Sequence, residues 1–309
     1  MSKTALLFAG QGAQYVGMGK DLADHFSCAQ EIAAKADATL GYNISDLCFN
    51  GPETELMRTE HAQPAIYLVC WMAFDVLRRS VPDLEFGAAA GLSLGEYGAL
   101  AAAGAVDFLD GLLLVRQRGL FMQEACLEAA GGMAAIIGMG EPEVRRLCEE
   151  SGVQIANLNC PGQIVISGLA AGVETACKLA KERGAKRAVK LQVAGAFHSC
   201  LMASAREKLE GELGRYRINA PSVPVISNVT ARPHGTPDKI LALMAEQVTS
   251  PVRWEDSMRY LIGQGFTRFI ELGPGTVLSG FLRRIAPDVE VFNVEDVPSL
   301  ERTVNSIKS

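Results

Sequence analysis

A serine between two glycines is the residue best suited to covalent chemistry in this 309-residue chain. The run FGAAAGLSLGEYGALAAAGA (86–105) places a G-x-S-x-G pattern, centred on Ser93, between an apolar segment and an alanine-rich segment. The pattern is typical of a nucleophile on a sharp strand-to-helix turn, where glycines let neighbouring chains approach and the backbone N–H of Leu94 can stabilise an oxyanion. The alternative is a serine that caps a helix, but the predicted strand before Ser93 and the predicted helix after it favour the nucleophile.

A serine nucleophile needs a base, and the chain contains four histidines. His25 lies within a predicted amphipathic helix, His61 at a predicted helix start and His234 in the turn ARPHG. His198 instead follows small residues at a strand-to-helix crossing, GAFHS, where the positive end of a helix dipole favours a neutral, proton-accepting imidazole. Elimination makes His198 the best candidate for the base; the alternative is a structural histidine.

A glycine-rich turn, AGQGAQ (9–14), follows the first predicted strand. It is only superficially similar to a dinucleotide-binding fingerprint, because Tyr15 occupies the last position and is too large for close helix–strand packing. At the carboxyl end of a neighbouring strand, this turn can supply a second oxyanion N–H from Gln11.

The elements that position these groups alternate between strand and helix. The apolar patterns predict strands at 4–8, 86–91, 223–226, 267–271 and 289–294, and helices at 20–38, 62–80, 95–104, 107–127, 199–215, 238–248, 254–265 and 275–285. Such alternation predicts a parallel sheet covered by helices on both faces.

Within residues 129–194 the order of elements changes. Strands are predicted at 133–139, 153–159, 162–168 and 186–193, with helices at 141–151 and 170–184. This βαββαβ order is that of the ferredoxin-like unit. We therefore predict an α/β fold with an α/β-hydrolase-like core, residues 1–128 and 195–309, and an inserted ferredoxin-like small domain, residues 129–194.

Composition excludes several function classes. The chain is 49% hydrophobic and 21% charged, with a formal net charge of −6 and no run of like charges, so nothing indicates a nucleic-acid or membrane partner. No secretory signal and no 18-residue apolar span is predicted. The eight scattered cysteines lack metal-binding spacing and predict a reducing, cytoplasmic location.

Seven stretches carry a resemblance that covers nearly the whole chain. They are AGQGAQ (9–14), GLSLGEY (91–97), RQRGLFMQEA (116–125), NCPGQIVISG (159–168), GAFHS (195–199), ISNVTA (226–231) and EQVTSPVRW (246–254). In this order they resemble the malonyl-CoA:acyl-carrier-protein transacylase family, which includes the acyltransferase domains of fatty-acid and polyketide synthases.

The resemblance implies a role for each residue of the catalytic cluster. Ser93 is expected to be the acylated nucleophile and His198 its general base. The backbone N–H groups of Gln11 and Leu94 are expected to form the oxyanion hole. The histidine is expected to be oriented by the backbone carbonyl of Gln247 rather than by a carboxylate.

The resemblance also implies substrate-binding residues. Arg118 matches the arginine that binds the free carboxylate of malonate, a task that suits a planar guanidinium, whereas Arg116 faces elsewhere on the helix. The bulk of Phe197 would crowd an α-methyl branch and so favour malonyl over larger groups, and Asn159 is expected to contact the pantetheine arm. Leu92 stands where many members have histidine, a change that removes no group the mechanism needs.

The implied activity is transfer of malonyl from malonyl-CoA to the phosphopantetheine thiol of acyl carrier protein, for fatty-acid synthesis. The enzyme is expected to be a monomer and to need neither a metal nor an organic cofactor. The alternatives are a free-standing, trans-acting polyketide acyltransferase, a serine esterase or thioesterase, and a catalytically silent carrier-binding subunit. An acidic carrier would meet a basic patch, for which the candidates are Lys186, Arg187, Lys190, Arg283 and Arg284.

Overall fold

Two β-sheets form the framework of the protein. The computed structural model describes residues 3–308, over which nine strands occur in chain order: β1 (Lys3–Phe8), β2 (Ala88–Gly91), β3 (Gly131–Ile137), β4 (Gln154–Cys160), β5 (Gln163–Leu169), β6 (Arg187–Lys190), β7 (Val225–Ile226), β8 (Phe266–Leu272) and β9 (Glu290–Val294). The first sheet is parallel, with the order β7-β2-β1-β8-β9, and the second is antiparallel, with the order β4-β5-β3-β6.

Helices cover both sheets. The same residues contain α1 (Lys20–His25), α2 (Ser27–Leu40), α3 (Ile44–Asn50), α4 (Glu53–Leu56), α5 (Thr59–Ser80), α6 (Gly95–Ala102), α7 (Phe108–Glu128), α8 (Glu141–Ser151), α9 (Ala170–Glu182), α10 (Ala203–Leu213), α11 (Pro237–Gln247), α12 (Trp254–Gly263), α13 (Val277–Ile285) and α14 (Val297–Lys308). None of the helices in this part of the chain combines the length and hydrophobicity needed to cross a membrane.

The parallel sheet is buried on both faces, as expected for strands joined by helical crossovers. Along β1, Leu6 and Phe8 pack into the core shared with α5 and α7, whereas Ala5 and Leu7 point to the opposite core, shared with α12 and α13. The predicted α/β fold with a parallel sheet and a small antiparallel sheet is confirmed.

The antiparallel sheet has its own core and a main-chain connection to the rest of the chain. Its elements follow the order β3-α8-β4-β5-α9-β6, and α8 and α9 pack on one face of the sheet. Val252, between α11 and α12, donates its N–H to the carbonyl of Ala156 at 2.8 Å and accepts the N–H of Leu158 at 2.9 Å. The small sheet is thus joined to a segment that follows Gln247, the residue predicted to orient His198.

Two predicted helices differ from the observed ones. The helix predicted over 20–38 is divided into α1 and α2 because Phe26 adopts an extended conformation and packs against the main core. The helix predicted over 199–215 begins as a 3₁₀ turn, Cys200–Met202, before α10. Helices α3, α4 and α14 had not been predicted.

Close packing of α6 on β1 leads to a stability prediction. A Cβ at Gly95 would overlap the carbonyl oxygen of Phe8, so Gly95→Ala is expected to lower the free energy of unfolding by about 3 kcal/mol. Gly280 in α13 is the matched control, since a Cβ there meets nothing within 4 Å, and alanine is expected to add about 0.5–1 kcal/mol. Urea unfolding measures both changes; equal stability of the two variants would contradict the packing argument.

Candidate active site

Ser93 lies at the sharp turn between β2 and α6. Its φ of +53° is in the left-handed region, a strained conformation that non-glycine residues adopt mostly at functional sites. Glycines make room for this turn, because a Cβ at Gly91 would overlap the backbone of Gly95. The local sequence therefore folds as a sharp strand-to-helix elbow at the carboxyl end of the parallel sheet, the geometry typical of a nucleophile.

His198 approaches Ser93 from a distant part of the chain. Its Nε2 lies 2.8 Å from Ser93 Oγ, and its Nδ1 lies 2.9 Å from the carbonyl oxygen of Gln247. Because a carbonyl oxygen only accepts hydrogen bonds, Nδ1 carries the proton of the neutral ring, which leaves Nε2 free to accept the serine proton. The two side chains are arranged as nucleophile and base, with a main-chain carbonyl where many serine hydrolases have a carboxylate.

Burial keeps the His198 ring neutral. Loss of solvation is the larger cause and repulsion by the Arg118 guanidinium the second, and together they lower the pKa of His198 to about 4. We had expected the positive end of the following helix to have this effect. The chain instead passes from His198 into the 3₁₀ turn, and α10 begins only at Ala203.

Two backbone N–H groups beside Ser93 are free to bind an anion. The N–H groups of Gln11 and Leu94 donate no hydrogen bond to any residue within 3–308. The turn that contains Gln11 packs directly on the elbow, since a Cβ at Gly10 would overlap the carbonyl oxygen of Leu92. Preorganised N–H groups of this kind stabilise the oxyanion of acyl transfer.

Arg118, on α7, is buried beside Ser93 with only 1% of its surface exposed. Its Nη1 donates to Gln63 Oε1 at 2.7 Å, and its Nη2 donates to Ser93 Oγ and to Gln247 Oε1 at 3.0 Å each. All three partners are uncharged, and no carboxylate among the described residues forms an ion pair with this guanidinium. Buried charges in proteins are normally paired by direct contact. The buried Glu96 carboxylate acts on this guanidinium electrostatically without contacting it, so the positive charge next to Ser93 has no carboxylate as a direct partner.

Gln247 joins the parts of this cluster. Its main-chain oxygen accepts the hydrogen bond from His198, its Nε2 donates to the carbonyl oxygen of Ser93 at 3.0 Å, and its Oε1 accepts from Arg118. The residue is fully buried at the end of α11. One residue, through its main chain and its side chain, thereby fixes Ser93, His198 and Arg118 relative to one another.

A cavity of about 290 Å³ opens beside Ser93 and His198. Gln11, Phe197 and Asn159 are among its lining residues. The Oδ1 atom of Asn159 is buried and has no hydrogen-bond partner in the part of the chain that the structure describes, which favours a ligand that donates an N–H. Within residues 3–308, no group of three or more His, Cys, Asp or Glu side chains is placed to hold a metal ion.

The basic residues predicted to meet a carrier protein are not equivalent. Four of them are exposed and form no hydrogen bond to the turn between β4 and β5: Lys186, Arg187, Lys190 and Arg283. Arg284 is also exposed, but it donates to the carbonyl oxygen of Pro161 and to Gln163 Oε1, both at 2.6 Å. Arg284 therefore connects α13 to the β4–β5 turn, so its guanidinium is already engaged within the chain.

Comparison with protein families decides the class of chemistry. Residues 5–306 match the model described as the acyl transferase domain. The chain belongs to the acyl transferase family. A relative of this chain, named malonyl CoA-acyl carrier protein transacylase, comes from Bacillus subtilis (strain 168). The two are 46% identical over 315 residues, which cover 100% of this chain and 98% of the relative.

Solved structures of similar proteins share the fold of this acyl transferase. The crystal structure of malonyl CoA-acyl carrier protein transacylase from Clostridium perfringens has a TM-score of 0.95 at 43% identity, covering 99% of this chain and 98% of that one. A type II PKS acyl-carrier protein in complex with its malonyl-transacylase provides a second match, with a TM-score of 0.96 at 36% identity over 99% of this chain and 100% of that one.

The site of the acyl transferase also contains groups that sequence reasoning had missed. Gln63, fully buried in α5, binds the Arg118 guanidinium, and the side chain of Gln247 was not assigned any role. A single amide within the otherwise apolar run of α5 is the signal that points to Gln63. No comparable signal marks the Gln247 side chain.

Proposed function

We propose that this acyl transferase moves a malonyl group from malonyl-CoA to the phosphopantetheine thiol of acyl carrier protein, for fatty-acid synthesis. The observation that carries the proposal is Arg118, a buried cation with uncharged partners, 3.0 Å from Ser93 Oγ. Malonyl differs from a simple acyl group by one carboxylate. This carboxylate supplies the negative charge that Arg118 lacks as a direct partner, and its two oxygens can bind the guanidinium bidentately. The names of the relatives and of the complex with an acyl-carrier protein support the same substrate and partner.

In the first half-reaction, Ser93 Oγ attacks the carbonyl carbon of the thioester while His198 Nε2 takes the serine proton. The carbonyl oxygen becomes an oxyanion, which the N–H groups of Gln11 and Leu94 stabilise. When the oxyanion collapses, the carbon–sulfur bond breaks and His198 gives its proton to the CoA sulfur. The products are malonyl-serine and free CoA.

The second half-reaction reverses the first with a different thiol. The pantetheine thiol of the carrier gives its proton to His198, attacks the malonyl-serine carbonyl, and releases Ser93 with that proton returned to Oγ. Because one thioester replaces another, the enzyme supplies positioning and charge stabilisation rather than driving force, and no cofactor is required. Water must be excluded from the acyl-serine, because it would hydrolyse the ester. Only 8% of the Ser93 surface is exposed, which supports this exclusion.

Two cavity residues support the choice of substrate. Phe197 lies directly before the base and lines the cavity, where its ring would crowd an α-methyl branch on the acyl group. The buried, unpartnered Oδ1 of Asn159 is suited to accept an amide N–H of the pantetheine arm. Malonyl is therefore preferred over methylmalonyl, and CoA and carrier present the same arm to the same acceptor.

The proposed architecture has an α/β-hydrolase-like large domain, residues 1–128 and 195–309, and a ferredoxin-like small domain, residues 129–194. The elbow after β2 supports the first description, and the strand order β4-β5-β3-β6 supports the second. Residues 1, 2 and 309 of these ranges lie outside the described residues. The cytoplasmic location and the monomeric state stay predictions.

Intact-mass analysis tests the activity. We expect malonyl-CoA alone to leave a malonyl-sized adduct on the protein, and holo acyl carrier protein to remove it while gaining an equal amount of malonyl. Acetyl-CoA and methylmalonyl-CoA are expected to compete poorly. Steady CoA release without an adduct would indicate a hydrolase, and a bound carrier without CoA release would indicate a silent subunit.

The depressed pKa of His198 predicts the pH profile. A base must be neutral, so kcat/KM for malonyl-CoA is expected to stay level as the pH falls through 6.5 and to decline only near pH 4, where His198 becomes protonated. In Arg118→Gln, assayed with acetyl-CoA, the decline is expected at higher pH because the repulsion of the imidazolium is gone. Circular dichroism at each pH separates titration from unfolding. An inflection near pH 6.5 in the unmodified enzyme would contradict the assignment.

A further inference from the structure

Three buried polar side chains behind the nucleophile have no part in the reaction described above. They are Glu96, Asn228 and His234, with exposures of 0%, 0% and 2%. Each lies in a stretch noted in the sequence: GLSLGEY, ISNVTA and ARPHG. Burying such groups is unfavourable unless they are bonded, so their contacts indicate their role.

Asn228 holds the nucleophile elbow directly. Its Oδ1 accepts the backbone N–H of Ser93 at 2.6 Å, and its Nδ2 donates to the carbonyl oxygen of Gly91 at 2.7 Å. On the other side of Ser93, the carbonyl oxygen accepts from Gln247 Nε2. Both backbone polar groups of the nucleophile are thus tied to side chains, which fixes the rotation about its N–Cα and Cα–C bonds.

This restraint matters because the backbone of Ser93 is strained. A serine at φ +53° persists only where the surroundings determine it. The peptide unit after Ser93 also contains the N–H of Leu94, so its orientation directs that donor toward the oxyanion. A change at Asn228 would therefore misalign both Oγ and the Leu94 N–H without touching the substrate.

Glu96 holds Asn228 in turn. Its Oε2 accepts the backbone N–H of Asn228 at 2.7 Å. Its Oε1 lies 2.7 Å from His234 Nε2, a close ion-pair contact outside hydrogen-bond geometry, and both of these ionisable side chains are fully buried. Glu96 is in the first turn of α6, immediately after the elbow. The carbonyl oxygen of Asn228 accepts the N–H of Arg253, next to the segment that joins the small sheet.

We propose that Asn228 is a positioning residue for the nucleophile and that the buried pair of Glu96 and His234 holds Asn228 in its working orientation. The inference rests on the proposed function only through the nucleophilic role of Ser93. It predicts that variants of Asn228 lower the rate constant for acylation of Ser93 and leave substrate binding unchanged, because Arg118 and His198 keep their own contacts.

Single-turnover kinetics of the full chain test the proposal. In Asn228→Ala, the rate constant for Ser93 malonylation is expected to fall by about 100-fold, the size of effect that a small misplacement of a reacting group produces. The dissociation constant of malonyl-CoA and the acidic inflection of the pH profile are expected to stay unchanged. Asn228→Asp, which keeps the acceptor for the Ser93 N–H and loses the donor to Gly91, provides a milder variant with an expected loss of about 10-fold.

Variants of Glu96 test the supporting pair. Glu96→Gln keeps an oxygen for the Asn228 N–H and is expected to retain the rate within about 3-fold, whereas Glu96→Ala is expected to lose about 10-fold. In the double variant, Glu96→Ala is expected to lower the rate constant little beyond Asn228→Ala alone, because Glu96 acts on Ser93 through Asn228. The matched control is Ser227→Ala in the same loop, since the Ser227 hydroxyl accepts only from Val229 and does not reach the elbow.

All rates are expressed per folded protein, counted from the amplitude of the malonyl adduct. A normal rate constant in both Asn228→Ala and Asn228→Asp, with only a smaller adduct amplitude, would overturn the proposal by showing a purely structural role. An equal loss in Glu96→Gln and Glu96→Ala would overturn the role of the pair. An adduct that persists in Ser93→Ala would instead refute the proposed function, so the two failures are distinguishable.

Discussion

Replacing Ser93 with alanine is expected to abolish the malonyl adduct and to lower transfer to the carrier by at least about 10⁴-fold. The two thiols never meet in this mechanism, so without the serine oxygen there is nothing to hold the malonyl group between them. Binding of malonyl-CoA is expected to survive, because Arg118 and the cavity remain. Intact mass and isothermal titration with malonyl-CoA measure the two effects separately.

Ser167 provides the matched control for this prediction. It is a fully buried serine in β5, and its Oγ has no hydrogen-bond partner among the described residues. Ser167→Ala is expected to keep full transfer activity and full adduct formation. A malonyl adduct on Ser93→Ala, located on another residue by peptide mapping, would show that the elbow serine is not the acyl carrier.

The second large effect is a change of substrate preference. Arg118→Ala is expected to lower kcat/KM for malonyl-CoA by about 10³-fold, since a carboxylate would enter a buried site without its partner. The value for acetyl-CoA is expected to stay level or rise, because a methyl group needs no cation. Steady-state transfer to one carrier protein, with each donor in turn, measures the ratio.

Two further arginine-directed variants sharpen this test. Arg118→Lys keeps the charge but cannot form the paired, planar hydrogen bonds of a guanidinium, so partial malonyl activity is expected. Arg116→Ala, on the same helix, is the matched control, because Arg116 interacts with Tyr42 rather than with the catalytic cluster. Equal losses for malonyl and acetyl transfer in Arg118→Ala would refute a carboxylate-binding role.

The partner of His198 is an uncharged carbonyl, which leaves the positive charge of the Arg118 guanidinium available for the substrate carboxylate. Nδ1 of His198 binds a main-chain carbonyl, and the side chain of the same residue, Gln247, binds Arg118. A carboxylate in this position would form an ion pair with Arg118 and compete with the substrate. An amide and a carbonyl orient the base and the guanidinium while leaving the positive charge available.

The nucleophile elbow was predictable because its determinants are local. The glycines at 91 and 95 flank Ser93 within one turn, and an apolar strand followed by an alanine-rich helix is visible in the sequence pattern. The alternation of elements likewise predicted the parallel sheet, and the βαββαβ order within residues 129–194 predicted the small antiparallel sheet. The division between α1 and α2 was not predictable, since Phe26 takes its extended conformation to reach the core.

The amino-acid sequence alone determined the elbow, the order of the strands and of most helices, and a short set of candidate residues. Only the tertiary structure decided how those residues meet, since Arg118 reaches Gln247 across 129 positions, and only it added Asn228, which reaches Ser93 across 135. It also decided that the pKa of His198 is lowered by burial and by Arg118. The physical reason is that solvation and charge depend on which distant side chains share a site, and neither spacing nor periodicity along the chain encodes that.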